Sequence, residues 1–174
     1  MKWVRIVIGA IVAVVAVVWI AGLFLPRAHS ATSRVTLKVP RDSVFAVLRD
    51  FASLPAWHKA TTSSTRVAGV AGERWRQEAG GQAMELDVVE ANAPSRIVVK
   101  IVEDAKAMFG GTWTYRLDEA PGGGTLVSIT EEGWIGPPPF RVVMAMMGAN
   151  RTMDDVLVSL GARFGEAVTP GDAR

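Results

Sequence analysis

Residues 137–166 restrict the fold of this chain more than any other stretch. Wound as a helix, they place Val142, Met146, Ala149, Met153, Val156, Leu157, Leu160 and Phe164 on one stripe and Arg151, Asp154 and Asp155 opposite. Pro137, Pro138 and Pro139 supply the start, since the N–H that proline lacks would go unbonded in a first turn. Gly165, then Pro170 and Gly171, supply the stop. One helix is therefore expected across 137–166, and an apolar stripe that long must be covered by something broad. The only cover the upstream chain offers is a series of short alternating segments that read as β-strands. The expected architecture is a long helix laid across a sheet.

A second apolar segment comes first in the chain. Residues 6–25 form a run of 20 Ile, Val, Ala, Leu, Phe, Trp and Gly with no charged side chain. At about 1.5 Å per residue the run is about 30 Å long, enough to cross a hydrocarbon core. Lys2 and Arg5 precede it; Pro26 and Arg27 follow it. The competing reading is a cleaved signal peptide, because Ala28 and Ser30 are small residues at the spacing a signal peptidase reads. The apolar region of a signal peptide is usually only about 7–15 residues, so a retained anchor is expected. The division expected is a basic flank at 1–5, an anchor at 6–25, a linker at 26–32, one folded domain at 33–167 and a disordered tail at 168–174. The linker is short, so the domain should sit close to the bilayer. Lys2 and Arg5 favour a cytoplasmic N-terminus, although Arg27, Arg34 and Lys38 are a comparable load beyond the anchor. The expectation is a single-pass protein of the cell membrane with its domain on the extracytoplasmic side.

Composition excludes several classes. The net charge of +2 belongs to Lys2 and Arg5; from Pro26 onwards 17 basic side chains face 17 acidic ones. That balance is not the concentrated positive field nucleic acid binding needs, and no basic run beside the anchor marks anionic-lipid recognition. There is no cysteine, hence no disulfide framework, and two histidines without metal-ligand spacing argue against a metal site. No G-x-S-x-G elbow occurs, and Gly122, Gly123 and Gly124 fall in a hairpin and not before a helix, so no phosphate cradle is indicated. No cofactor is expected.

Between anchor and final helix the chain reads as strand, two short helices, then six strands. Val35, Leu37 and Val39 alternate with Arg34, Thr36 and Lys38, and Pro40 ends the strand. Asp42 or Ser43 can cap a short helix carrying Val44, Phe45, Val47 and Leu48, and a second follows at 51–57. Further strands are expected at 64–70, 73–78, 83–90, 96–102, 111–117 and 125–134. Gly-, Pro- and Asn-containing turns separate them, at a spacing that suits antiparallel hairpins. Parity gives the sheet one apolar face, with Trp75, Gln77, Met84, Leu86, Ile97, Val99, Trp113 and Tyr115, and one charged face.

Two segments carry a family likeness. "VTLKVPRDSVFAVLRDFASLPAWHK" (35–59) and "GTWTYRLDEAPGGGTLVSITEEG" (111–133), with the C-terminal helix, resemble the START-like (SRPBCC) superfamily in its polyketide cyclase/dehydrase and lipid-transport branch. The resemblance covers about residues 33–166 and excludes the anchor. It implies an α+β helix-grip fold, a curved seven-stranded antiparallel sheet around a long C-terminal helix with an apolar cavity between. Its motifs are signatures of fold and not of catalysis.

The cavity so implied would be lined by Trp57, Trp75, Met84, Leu86, Val99, Trp113 and Tyr115, and by Met146, Met153 and Leu157 of the helix. Without the resemblance the same side chains read as an ordinary core. Residues 140–147 break the stripe, because Phe140, Val143, Met144 and Met147 point away from Val142 and Met146, and Gly148 weakens the helix. They read either as a lid facing the membrane or as a helix end sandwiched between the sheet and the short helices. Candidate proton carriers are few. His29 falls in the linker and is expected in solvent. His58 ends the second short helix, where a histidine is often only a charge-compatible end residue. Of Glu131 and Glu132 one must face inward, where it could act as acid or base, or pair with an arginine such as Arg76 or Arg116.

Three functions follow. The first is a membrane-tethered domain binding an apolar small molecule or lipid. The second is an enzyme resembling polyketide cyclases or dehydratases, with His58 or Glu131 carrying the proton. The third is a non-catalytic interaction module at the membrane. An inward-facing ionisable pair would favour the enzyme, a wholly apolar lining the binding domain, and a solid core the interaction module.

Overall fold

A computed structural model describes residues 2–172. Helix α1 (Lys2–Phe24) is uninterrupted, and long and apolar enough to cross a membrane. Within it only Gly22 is buried and Val18 half-buried, and the rest of its apolar side chains are exposed.

Strand β1 (Ala28–Leu37) follows at once, then α2 (Arg41–Arg49), a 3-10 turn (Phe51–Ser53) and α3 (Leu54–Trp57). Strands β2 (Thr61–Arg66), β3 (Arg74–Ala79), β4 (Gln82–Asn92), β5 (Arg96–Ile101), β6 (Phe109–Glu119) and β7 (Thr125–Ile135) come next. The chain ends in α4 (Pro138–Met147), α5 (Arg151–Arg163) and the two-residue β8 (Gly171–Asp172). The strands form one antiparallel sheet in the order β2-β3-β4-β5-β6-β7-β1-β8. Seven strands and a helix across one sheet face are the α+β helix-grip arrangement the resemblance implied; β8 adds a short eighth.

Three expectations are corrected. The helix expected across 137–166 is two helices: Gly148 closes α4 at φ +87°, a conformation that disfavours any Cβ, and the chain turns before α5. Residues 28–32, assigned to a linker, are the first half of β1, each paired with β7 from Ala28↔Trp134 to Thr32↔Thr130. The tail is not irregular throughout: Val168 packs on the core and Gly171 pairs with Arg34, while residues 173–174 lie outside the described residues.

The core is built by α5. Met153, Val156, Leu157 and Leu160 are buried at i, i+3, i+4, i+7 spacing against Val35, Leu37, Ile97, Leu117, Val127 and Ile129 of the sheet. Val44 and Leu48, one turn apart on α2, close its edge with Phe51. Asp154 accepts a hydrogen bond from the Ser33 hydroxyl, fixing α5 on β1. The opposite sheet face is charged as expected, with Arg74 paired to Asp87 at 2.7 Å and Arg116 to Asp118 at 2.8 Å.

Candidate functional site

The same strands that floor the core run on past it. Beyond Ile97, Leu117 and Ile129, the next inward residues are Val99 and Ile101 on β5, Tyr115 and Trp113 on β6, and Glu131 on β7. Over this second half lies a pocket of about 430 Å³. Met84, Leu86, Val99, Ile101, Trp113 and Tyr115 make its floor, and Thr152 and Val156 of α5 lean in from above. Met108, Trp134, Ile135, Phe140 and Met144 close one end. Polar groups sit at the flanks: His58, Thr61 and Gln77 on the β2–β3 side, His29 and Glu131 on the β7–β1 side.

Of the residues assigned to a cavity from the sequence, Trp57, Met84, Leu86, Val99, Trp113 and Tyr115 meet here. Four do not. Met153 and Leu157 are fully buried within the solid core. Met146 is 83% exposed, because the break at Gly148 turns α4 out of the stripe. Trp75 is a peg between elements: its ring meets Phe51 at 5.7 Å and its indole N–H donates to Glu73 at 2.7 Å. Glu73 also receives two bonds from the Arg49 guanidinium, one at 2.8 Å, which ties α2 to the end of β3. Burial raises the pKa of Glu73, but the hydrogen bonds and charge of Arg49, with Trp75, outweigh it and hold the carboxyl below its ordinary value.

Glu131 is the carboxylate that alternation turns inward. Neither arginine considered for it is its partner: Arg76 reaches Glu85 and Arg116 reaches Asp118. Its neighbour is His29, whose Nε2 lies 3.4 Å from Glu131 Oε1. His29 is thus half-buried on the pocket wall and not in solvent, a correction that follows from β1 starting early. It stands opposite Gly133, where a Cβ would come within 3.1 Å of the imidazole Cε1. The sequence did hold a signal for this: His29 and Ala31 continue the parity of Val35 and Leu37. The Tyr115 phenol is pushed well above its ordinary pKa by burial, with the Glu131 charge adding to it.

His58 is buried, with Nδ1 2.9 Å from the Thr61 hydroxyl and Nε2 3.2 Å from Asp155 Oδ2. Both ring nitrogens are occupied, so His58 links α3 and β2 to α5. Trp57 beside it holds its indole N–H buried without a partner. Among the described residues no three His, Cys, Asp or Glu side chains converge as metal ligands would.

Comparison with known proteins places this arrangement. No curated protein matches the chain. A START superfamily protein from Mycobacterium smegmatis superposes with a TM-score of 0.62 at 16% identity, covering 79% of this chain and 97% of that one. A conserved protein from Geobacillus kaustophilus gives 0.65 at 12% identity, covering 82% and 99%. The Zhui aromatase/cyclase from a Streptomyces species gives 0.63 at 15% identity, covering 78% and 93%. At such identities these likenesses speak for the fold alone. Residues 28–165 match the family described as polyketide cyclase / dehydrase and lipid transport, a span that takes in every strand of the sheet except β8 and both halves of the sheet face. This chain belongs to that family.

Proposed function

We propose that residues 28–165 bind an apolar small molecule in the pocket, and that α1 keeps this domain on a membrane. One observation carries the reading: six floor side chains from three adjacent strands are apolar, while the ionisable groups His29, His58 and Glu131 stand at the two flanks. A ligand with an apolar body gains about 0.8 kcal/mol for each CH₂ it buries there, and needs few polar contacts to be held. A volume of about 430 Å³ is in the range of small-molecule sites and suits a compact or single-chain molecule. The retained anchor is supported by β1: cleavage after Ser30 would remove three residues paired with β7, His29 among them.

Native mass spectrometry of the detergent-extracted full chain tests this. A co-purified apolar molecule is expected, and Leu86→Glu should abolish its retention without loss of the circular dichroism spectrum. A chain that carries nothing and also fails to bind a fluorescent fatty acid or a polycyclic aromatic probe overturns the reading.

A second reading has its own support. The lining is not wholly apolar, and His29 with Glu131 forms an inward-facing ionisable pair, the mark set for an enzyme. A carboxylate beside an imidazole at the edge of an apolar pocket can take a proton from a bound carbon acid or hydroxyl and return it elsewhere. Both readings require binding; the pair would add chemistry to it. Of the two candidates considered from the sequence, Glu131 is the better placed, since both His58 nitrogens are engaged in holding the fold. Glu131→Gln separates the readings. If the co-purified molecule is altered by the native protein and unaltered by the variant, the enzyme stands; if both carry it unchanged, the domain binds only.

A further inference from the structure

Helix α4 faces the pocket on one side and the anchor on the other. Phe140 and Met144 line the pocket, whereas Val143, Met146 and Met147 are exposed, an apolar surface without charge. The helix is fixed to the end of α1 in two ways. Gly22 lies so close to Pro138 that a Cβ there would collide with the proline carbonyl. The Arg141 guanidinium donates to the carbonyls of Gly22 and Leu25, each at 3.3 Å, to Ile135 at 3.0 Å and to Gly136. Arg141 therefore satisfies carbonyls that the last turn of α1 leaves unbonded, at the end of a helix where a cation is favoured. The shielded positions near that end, Val18, Gly22 and Leu25, recur at helical spacing and share one stripe. From Val18 to the end of α1 at Phe24 the helix rises about 9 Å, so α4 lies beside only the last two turns of the span. That is about the depth at which an amphipathic helix lies in the headgroup and acyl boundary, 5–10 Å into it. Arg27, just past the end of α1, lies over the Trp134 ring at 5.5 Å, as interfacial cations and aromatics do.

We propose that the outer face of α4 rests in the interfacial layer of the bilayer that α1 crosses, so the pocket exchanges its ligand with that membrane and not with water. This rests on the anchored, ligand-binding reading above and adds a place for the entrance. The occupant of the exposed face is the bilayer, because that face continues the exposed apolar surface of α1, which lipid covers where α1 spans. One helix, α4, then separates the pocket from the acyl chains.

The chain has no cysteine, so a single one can be introduced and labelled. An environment-sensitive fluorophore is placed at Met146→Cys, and a reference at Val89→Cys, which is exposed on β4. The full chain is reconstituted into phosphatidylcholine liposomes and recovered by flotation. The label at 146 is expected to be quenched several-fold more by nitroxide-labelled phospholipid than the label at 89, and several-fold less by aqueous iodide. Flotation with the 146 label as open to iodide as the reference overturns this inference while the anchor stands. Failure to float overturns both. Shielding from both quenchers means that a protein, such as a second copy of the chain, covers α4 and also overturns it. Met146→Glu, a residue outside the pocket, should slow transfer of a fluorescent fatty acid to vesicles several-fold with its affinity in detergent unchanged. An unchanged transfer rate overturns the entrance.

Discussion

The two halves of one sheet face teach what this fold is for. On the first half, Ile97, Leu117, Val127 and Ile129 form one buried cluster with Met153, Val156, Leu157 and Leu160 of α5. On the second, two to four residues further along the same strands, Ile101, Trp113, Tyr115 and Glu131 meet a pocket. Strand geometry is the same in both, so the difference lies in what covers them. A regular helix with i, i+3, i+4, i+7 spacing fills the first half. The glycine break at 148 withdraws the covering helix from the second and turns it against α1. Buried packing is concentrated in one half, and open space in the other.

The sharpest way to break this comparison is to truncate one side chain in each half. Leu157→Ala, in the solid half, should cost about 2–5 kcal/mol by chemical denaturation, because a transfer loss and a new cavity add together. Met84→Ala, on the pocket floor, should cost about 1 kcal/mol, because space already adjoins it and no new cavity is sealed. Equal costs would mean the halves are packed alike. Next in size, His58→Ala should remove about 1–3 kcal/mol, since it leaves Thr61 and Asp155 without their buried partner at the border of the pocket. A loss no greater than that of an exposed residue would show that the bridge does not hold α3 to α5.

A smaller effect is expected with acid. The folded-state pKa of Glu73 is lowered, so its contribution is present above the ordinary value of 4.5 and is lost as pH falls through the lowered one. Denaturation midpoints should therefore drop in that window, and Glu73→Gln should flatten the drop. The smallest signal is optical. Tyr115 is the one tyrosine in the chain, so phenolate absorbance reports it alone. Its raised pKa means that its contribution is present below about 10, the ordinary value, and is lost at higher pH. No phenolate should form near pH 10 while the fold persists. Ordinary titration there would mean that water fills the pocket and would remove the contrast with the dry half.

Parity made the pocket floor legible. Met84, Leu86, Val99, Trp113 and Tyr115 alternate with charged residues, and a two-residue period fixes a face without knowledge of the partner strand. Trp75 has the same parity and was misplaced, because the bond from its indole to Glu73 and its contact with Phe51 depend on where α2 docks. His29 was misplaced because polar Ser30, Thr32 and Ser33 hid the start of β1, which pairing with β7 alone makes a strand. Met146 was misplaced by treating 137–166 as one helix, although Gly148 marked the fault.

By itself the sequence determined the local matters: an apolar run of membrane-crossing length, the strands and their faces, and a terminal helix with one greasy stripe. These depend on periodicity and on the conformational limits of proline and glycine, which neighbours along the chain settle. Only the tertiary structure decided where α4 goes, that Arg141 closes the end of α1, and that His29 meets Glu131. Those contacts join residues from 102 to 119 positions apart, and no period along the chain encodes which distant surfaces will pack.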